Sequence, residues 1–321
     1  MRRICAVVLA ALLAAFGAEA QIFCWNLENY FDWKDDPATA DEAFTPGGEH
    51  HWTRRKFAAK RNLIAKAIIA SAACFDGKPT ALIGLCEVEN GAVLKSLAED
   101  TPLAKIGYRT LHRDSPDPRG IDVALLYDAA RVKLLGHEFI TIKDFATREI
   151  LYAKVAMPDT FHIFVNHWPS KYSGAKASAA KRLAVSAALE AKLDSLQKAD
   201  TGAAIILMGD FNDTPESPSV VRLCRAANLQ NITPKEGGTI KFKGKWEMID
   251  QMLASPAAAA KICRTEVFKP GFLLEEDKTF MGHKPRRTHI GPRYNAGASD
   301  HLPIVADIFD GGQKKRYICK Q

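Results

Sequence analysis

Four acidic residues of this chain stand where a carboxylate is expensive to keep. Glu87 closes the apolar run Thr80 to Cys86, Asp210 follows Ile205 to Met208 through Gly209, Asp250 lies inside the stretch Met248 to Leu253, and Asp300 precedes the last apolar run, Pro303 to Ile308. Short apolar runs of this kind read as buried strands. A charge at such a place is tolerated when it is paired, hydrogen-bonded or bound to a cation. Two histidines share the setting: His167 ends the run Phe161 to Val165 through Asn166, and His301 follows Asp300. Any one of these acids, taken alone, is more often a loop cap or a surface group. Together, drawn from distant parts of the chain, they point to strand ends that converge on one metal-bearing pocket.

The remaining segments supply a frame for that pocket. Ile22 to Leu27 fits a first strand and Val123 to Tyr127 another, while Asp32 to Trp52 has no periodicity and reads as an irregular excursion. Thr53 can cap a helix whose apolar stripe is Leu63, Ile64, Ala67 and Ile68, with its Arg and Lys residues on the solvated face. Ala175 to Leu196 is rich in strong helix formers. A balance of 47% hydrophobic and 25% charged residues over 321 positions excludes a disordered chain. With no internal repeat and no long linker, residues 21–321 are expected to form one domain.

Residues 1–20 have the three parts of a secretory signal: Arg2 and Arg3, an apolar run from Ile4 to Phe16, and Ala18-Glu19-Ala20. The run is shorter than the roughly 20 residues a spanning helix needs, so cleavage after Ala20 is expected and no stable membrane anchor. Such a protein is exported, to a periplasm or to the medium. Export permits disulfides among Cys24, Cys74, Cys86, Cys224, Cys263 and Cys319, but Cys24 and Cys86 lie in strand-like runs where a thiol behaves as a small hydrophobe. The formal charge of +7 suits a polyanionic partner.

Set in order, the motifs resemble those of the endonuclease/exonuclease/phosphatase superfamily. Trp25-Asn26-Leu27-Glu28 is similar to the first motif and Leu85-Cys86-Glu87 to the second, where Gln is more usual than Cys86. Val165-Asn166-His167-Trp168-Pro169, Gly209-Asp210-Phe211-Asn212, Ile249-Asp250 and Ser299-Asp300-His301-Leu302-Pro303 complete the series. The resemblance implies a DNase I-like α/β fold, a four-layer sandwich of two packed mixed, mostly antiparallel β-sheets flanked by helices. It implies metal ligation by Glu87 with Asn26 and Asp300, and magnesium as the ion, with manganese or calcium as alternatives. Asp210 would orient or deprotonate water and Asn212 hold it in line. His301, held by Asp250, would meet the phosphate's developing charge, with His167 on the other side.

Further candidates rest on position alone. Arg119, after the Pro-rich loop Ser115 to Pro118, and Asn166 are expected to touch substrate. Glu28, Asp122 and Asp213 are weaker acids of the same set. The basic run His283-Lys284-Pro285-Arg286-Arg287, with Arg293 and Tyr294, is expected to track a nucleic-acid backbone. A metal-dependent phosphodiesterase acting on DNA or RNA follows as the leading expectation, as a monomer without a protein partner. Its rivals are a phosphatase or phospholipase-type enzyme on a lipid or small ester, and a non-catalytic binding module.

Overall fold

The computed structural model of the chain describes residues 20–309, apart from 74–76, 158 and 172–173. The expected signal therefore lies outside the described residues up to its last position, Ala20, as do Cys5, Cys74 and Cys319.

In chain order the elements are β1 (Ala20–Tyr30), α1 (Arg54–Ala73), β2 (Leu82–Val88), α2 (Gly91–Glu99), β3 (Tyr108–His112), β4 (Asp122–Asp128), β5 (Lys133–Ile140), β6 (Ile150–Met157) and β7 (Asp159–His167). There follow α3 (Ala175–Ala199), β8 (Ala204–Asp210), α4 (Pro218–Ala226), β9 (Gln230–Asn231), β10 (Ile240–Phe242), β11 (Lys245–Glu247), β12 (Asp250–Ala254), α5 (Pro256–Ala259) and β13 (Ile262–Val267). The last are β14 (Leu274–Glu276), β15 (His283–Pro285), β16 (His289–Ile290), β17 (Arg293–Tyr294) and β18 (Ile304–Ile308).

Two six-stranded sheets form, one in the order β13-β18-β1-β2-β4-β3 and the other β5-β6-β7-β8-β12-β9. Each is antiparallel except for one central parallel pair, β1 with β2 and β7 with β8. The sheets pack face to face. Ile163, Val165, Ile206, Met208 and Met252 meet the first sheet, whereas Phe164, Ile205, Leu207 and Leu253 turn outward under Leu189 and Leu193 of α3 and Val220 and Leu223 of α4. Phe57, Ile64, Val93 and Leu97 of α1 and α2 cover the other outer face. This is the expected four-layer sandwich with helices on both sides.

Local chemistry matches most of the expected elements. Thr53 Oγ1 accepts from the Lys56 amide at the start of α1. Residues 32–52 are irregular apart from the single turn Glu42–Phe44. Cys24 and Cys86 are buried free thiols, and the Cys86 Sγ lies 3.1 Å from the Asn166 carbonyl. Asp250 differs from expectation in being the first residue of β12 instead of an interior one. Lys60 differs more. It is 1% exposed and shares a face of α1 with Phe57, Ile64 and Ile68, so it is no part of the solvated side.

Two glycines set the spacing of the site. Gly84 of β2 faces the second sheet, where an added Cβ would lie 2.7 Å from the Met208 Cε. Gly209 has φ +136 and is aligned with Asn166 across the parallel pair, where a Cβ would lie 1.9 Å from the Asn166 carbonyl oxygen. Backbone cannot yield as a Met side chain can. Gly209→Ala is therefore expected to lower stability by about 3 kcal/mol or more, read as a shift in the midpoint of urea unfolding.

Candidate active site

The C-terminal ends of the two parallel pairs meet across the sandwich. Asn26 ends the regular part of β1, Glu87 nearly ends β2, and His167 and Asp210 end β7 and β8 in register with each other. Asp250 begins β12 opposite Asp210. Strict alternation would send Cys86 and Glu87 to opposite faces. A register shift between Cys86 and Val88 breaks the alternation, and Glu87 takes φ 61, so its carboxylate turns toward the site. Glu28, Asn29 and Asn212 are also left-handed, at φ 47, 54 and 49. Unfavourable backbone of this kind persists where surroundings over-determine it.

Asp210 is the hub. Its Oδ2 accepts from the Asn26 amide at 3.0 Å and lies 3.7 Å from His167 Nε2 and 4.0 Å from His301 Nε2, while its Oδ1 accepts from the Asn212 backbone at 2.7 Å. Asn26 also donates to Glu87 Oε1 at 3.2 Å, and Glu87 Oε2 accepts from the Asn29 backbone at 2.7 Å. Asp250 Oδ2 lies 2.7 Å from His301 Nδ1, and Asp300 Oδ1 lies 3.8 Å from His301 Nε2. The His301 loop is fixed by Ser299, whose hydroxyl donates to the Asn26 carbonyl at 2.6 Å, and by the Trp25 indole, which donates to the His301 carbonyl at 2.9 Å.

The surroundings set the two histidines in opposite states. Burial lowers the His167 pKa well below its ordinary value, and Arg148, Arg119 and His301 add to the effect. Burial also acts to lower His301, but Asp250, Asp210 and Asp300 outweigh it and raise the imidazole well above its ordinary value. Burial and then Asp250 push the Asp210 carboxyl up to about 7. A neutral and a protonated imidazole thus flank one poised carboxylate.

A second shell of charge lies behind Asp300. Glu28 Oε1 accepts from Arg287 Nε at 3.0 Å and Glu28 Oε2 from the Thr288 backbone at 2.7 Å, and Arg287 also reaches Asp300 at 3.1 Å. Lys60 donates to the Glu28 carbonyl and, at 2.7 Å, to Thr288 Oγ1. Burial and Asp300 raise the Glu28 carboxyl to about 7. From the sequence, Lys60 falls with the solvated residues of α1 and Arg287 with a surface for nucleic acid. The available signal was a lysine at helical spacing among the apolar residues of α1.

The donors suit a hard divalent cation. Glu28, Glu87, Asp210, Asp250 and Asp300 crowd together with Lys60, Arg287 and His301 as nearby cations, and burial, then a neighbouring carboxylate, displaces two of these carboxyls upward. Glu87 and Asp300 offer oxygen and no thiolate, as magnesium, manganese or calcium requires, whereas Asn26 turns its amide nitrogen to Glu87 and Asp210 and accepts from the Glu28 backbone at 2.9 Å through its oxygen. Asp210, Asp250 and His301 are also close enough to hold an ion, with ligand atoms within 4.8 Å of one another. The 2.7 Å contact between Asp250 and His301 Nδ1 already commits that pair, which reads better as a proton-holding couple.

Other expectations resolve differently. Asn166 is fully buried on the outward face of β7, its amide donating to the Phe164 and Met208 carbonyls at 3.3 and 3.4 Å while its oxygen accepts from the Trp168 indole. Its side chain is a prop beneath Trp168 and not a substrate contact. Asp213 is spent on Arg182 and Ser219, each at 2.6 Å, and Asp122 lies beside His112 at 3.3 Å. In the basic run Arg286 donates to the Asn295 carbonyl, Lys284 pairs with Glu275 and Arg287 with Glu28 and Asp300, so most of that charge is turned inward. Arg119 keeps a half-exposed side chain near Asp117. Asn212 donates its amide to the Trp168 carbonyl at 2.9 Å, beside the hub.

Comparison with known proteins agrees with this architecture. The model of the Endonuclease/Exonuclease/phosphatase family matches residues 21–309. No curated protein matches the chain. Among solved structures, an endonuclease/exonuclease/phosphatase family protein from Bacteroides thetaiotaomicron superposes with a TM-score of 0.60 at 15% identity, covering 94% of this chain and 99% of its own. A mannosyl-6-phosphatase from the same species gives 0.58 at 16%, covering 90% and 100%. D. rerio TDP2 complexed with single strand DNA product gives 0.55 at 16%, covering 90% and 98%. At such identities the likeness is one of fold.

The raised carboxyls carry a pH signature. Asp210 moves from 3.8 to about 7 and Glu28 from 4.5 to about 7, so each stabilises the fold most below its unfolded pKa and loses that contribution as pH rises through about 7. In chelator, stability from these groups should fall between about pH 4 and pH 7. Magnesium should raise the melting temperature more at pH 8 than at pH 5, and an equal increment at both would contradict a cation bound at Glu87 and Asp300 beside these carboxylates.

Proposed function

Because the chain belongs to the endonuclease/exonuclease/phosphatase family and is a phosphoester hydrolase, we propose that it is a divalent-metal-dependent phosphodiesterase that cleaves DNA or RNA. The observation that carries the reading is Asp210 between a neutral His167 and a protonated His301. The basic balance of the chain and the half-exposed Arg119 favour a polyanionic substrate.

Each side chain has a part that follows from its surroundings. Asp210, with a carboxyl near neutrality, takes a proton from the attacking water, and the Asn212 backbone and Asn26 amide fix the orientation of its two oxygens. His301 presents its Nε2 proton to the phosphate oxygen that gains charge, and Asp250 on Nδ1 keeps that imidazole charged and aimed. His167 offers a neutral Nε2 between Glu87 and Asp210. Glu87 and Asp300 would hold the cation, with Asn26 orienting Glu87 through its amide, and the cation when bound supplies Lewis-acid polarisation of the phosphoryl group. Arg287 and Lys60 keep Glu28 and Asp300 from repelling one another.

Cleavage of supercoiled plasmid by the mature protein should require magnesium, stop with chelator and fall about a thousandfold in Asp210→Asn. Intact plasmid from folded wild-type protein would overturn nucleic acid as substrate and direct the search to small phosphate esters.

We also propose that the first twenty residues direct export, to a periplasm or the medium, and that the mature enzyme works as a monomer. No helix among the described residues is long and apolar enough to cross a membrane. Gln21 pairs with Asp307 in the sheet, and its side chain accepts from Thr80 Oγ1 at 3.0 Å, so cleavage after Ala20 would remove the Ala20–Ile308 pair alone and leave the rest of the β1 ladder. The mass of exported protein should begin at Gln21, and retention of Met1 would contradict this.

A further inference from the structure

Beside the carboxylate cluster lies a cleft of about 240 Å³, lined by Arg119, Phe145, Thr147, Arg148, Pro169 and Lys181 together with Ala146 and Ser170. None of Glu87, Asp210, Asp300 or His301 lines it, so whatever it holds is not the group undergoing hydrolysis. It is smaller than the roughly 300 Å³ at which pockets for whole drug-sized ligands begin, so it suits one part of a larger molecule. Its charge is one-sided. Arg119, Arg148 and Lys181 line it and no carboxylate does among the described residues; Asp117 accepts from Arg148 at 2.8 Å and lies 3.6 Å from Arg119.

The cleft is also built into the active site. Arg148 is 6% exposed, and its Nη2 donates at 2.7 Å to the Trp168 carbonyl, the same oxygen that accepts from Asn212. Trp168 follows His167 directly, and both Arg148 and Arg119 are near enough to bias that imidazole. Arg148 is bonded through both terminal nitrogens, but its buried Nε has no acceptor, a cost that an anion bound against the guanidinium would offset. Lys181 is exposed on α3 with its ammonium 5.3 Å from the centre of the Phe145 ring.

We propose that this cleft binds a second phosphate group of the substrate, carried on the same molecule as the phosphate hydrolysed at Asp210. Arg148, held in place by Asp117 and the Trp168 carbonyl, forms the fixed floor, and Arg119 and Lys181 meet the phosphate oxygens from the rim. The inference rests on the reading of the chain as a phosphoesterase and narrows it to substrates bearing at least two phosphates. A nucleic-acid chain and a small bisphosphate ester share that chemistry.

Calorimetric titration tests the subsite apart from turnover. Thymidine 3′,5′-bisphosphate and thymidine 5′-monophosphate, and glucose 1,6-bisphosphate and glucose 6-phosphate, are titrated with magnesium into full-length wild type and Lys181→Glu. The bisphosphate of one pair should bind about tenfold tighter than its monophosphate, and Lys181→Glu should abolish that gain. The pair that shows the gain identifies the source as nucleotide or sugar ester. Equal affinity within both pairs, or a gain that survives Lys181→Glu, overturns the proposal. A gain confined to the nucleotides beside uncut plasmid would sink the nuclease reading while leaving the subsite standing.

Discussion

Carboxylates crowded at the dry ends of strands govern this structure. Asp210 and Asp250 are nearly inaccessible to water, and Glu28 is scarcely less buried. A buried ion that lacks a partner destabilises a fold by several kcal/mol, so their neighbours are constrained to supply positive charge or hydrogen-bond donors. Lys60 from α1, Arg287 from the loop before β16 and His301 from the loop before β18 do so from three separate parts of the chain. These contacts bind the outer helix and the C-terminal loops to the sheet ends as well as balancing charge.

The topology explains why the carboxylates meet at all. A parallel pair brings the C-terminal ends of two strands to one edge, and each sheet has its parallel pair at the centre. Packing the sheets face to face sets Asn26 and Glu87 opposite His167 and Asp210, while the antiparallel neighbour β12 adds Asp250 from its first residue. Gly84 permits the close approach of the two sheets across which contacts of 3 to 4 Å form, and Gly209 lets β8 lie against Asn166 of β7 just before Asp210. Activity and architecture therefore depend on the same few backbone positions.

Much of this is legible in the sequence. Apolar runs ending in Glu87, His167 and Asp210, and the motif from Ser299 to Pro303, announce strand ends with chemistry because charge there has few structural uses. Side-chain direction is less legible. Asn166 and His167 are adjacent, and only their register against β8 shows that the first faces α3 and the second the site. Glu87 reaches the site by a bulge that no local pattern announces. The basic run around Arg287 looks like a surface for polyanions, yet its charges answer acids brought near from elsewhere in the chain. Composition counts charges without pairing them.

That redistribution changes where a polyanion would be felt. With Arg286, Arg287 and Lys284 engaged internally, Arg119, Arg148 and Lys181 gather positive charge in a cleft that no carboxylate lines among the described residues. Arg119 and Arg148 also help keep His167 neutral, so the field that would draw an anion in is the field that prepares one side of the site. His301, sheltered among acids, answers to the other side. An anion settling against Arg119 and Arg148 would weaken their hold on His167 and make its protonation easier, which couples occupancy of the cleft to the acid-base state of the site.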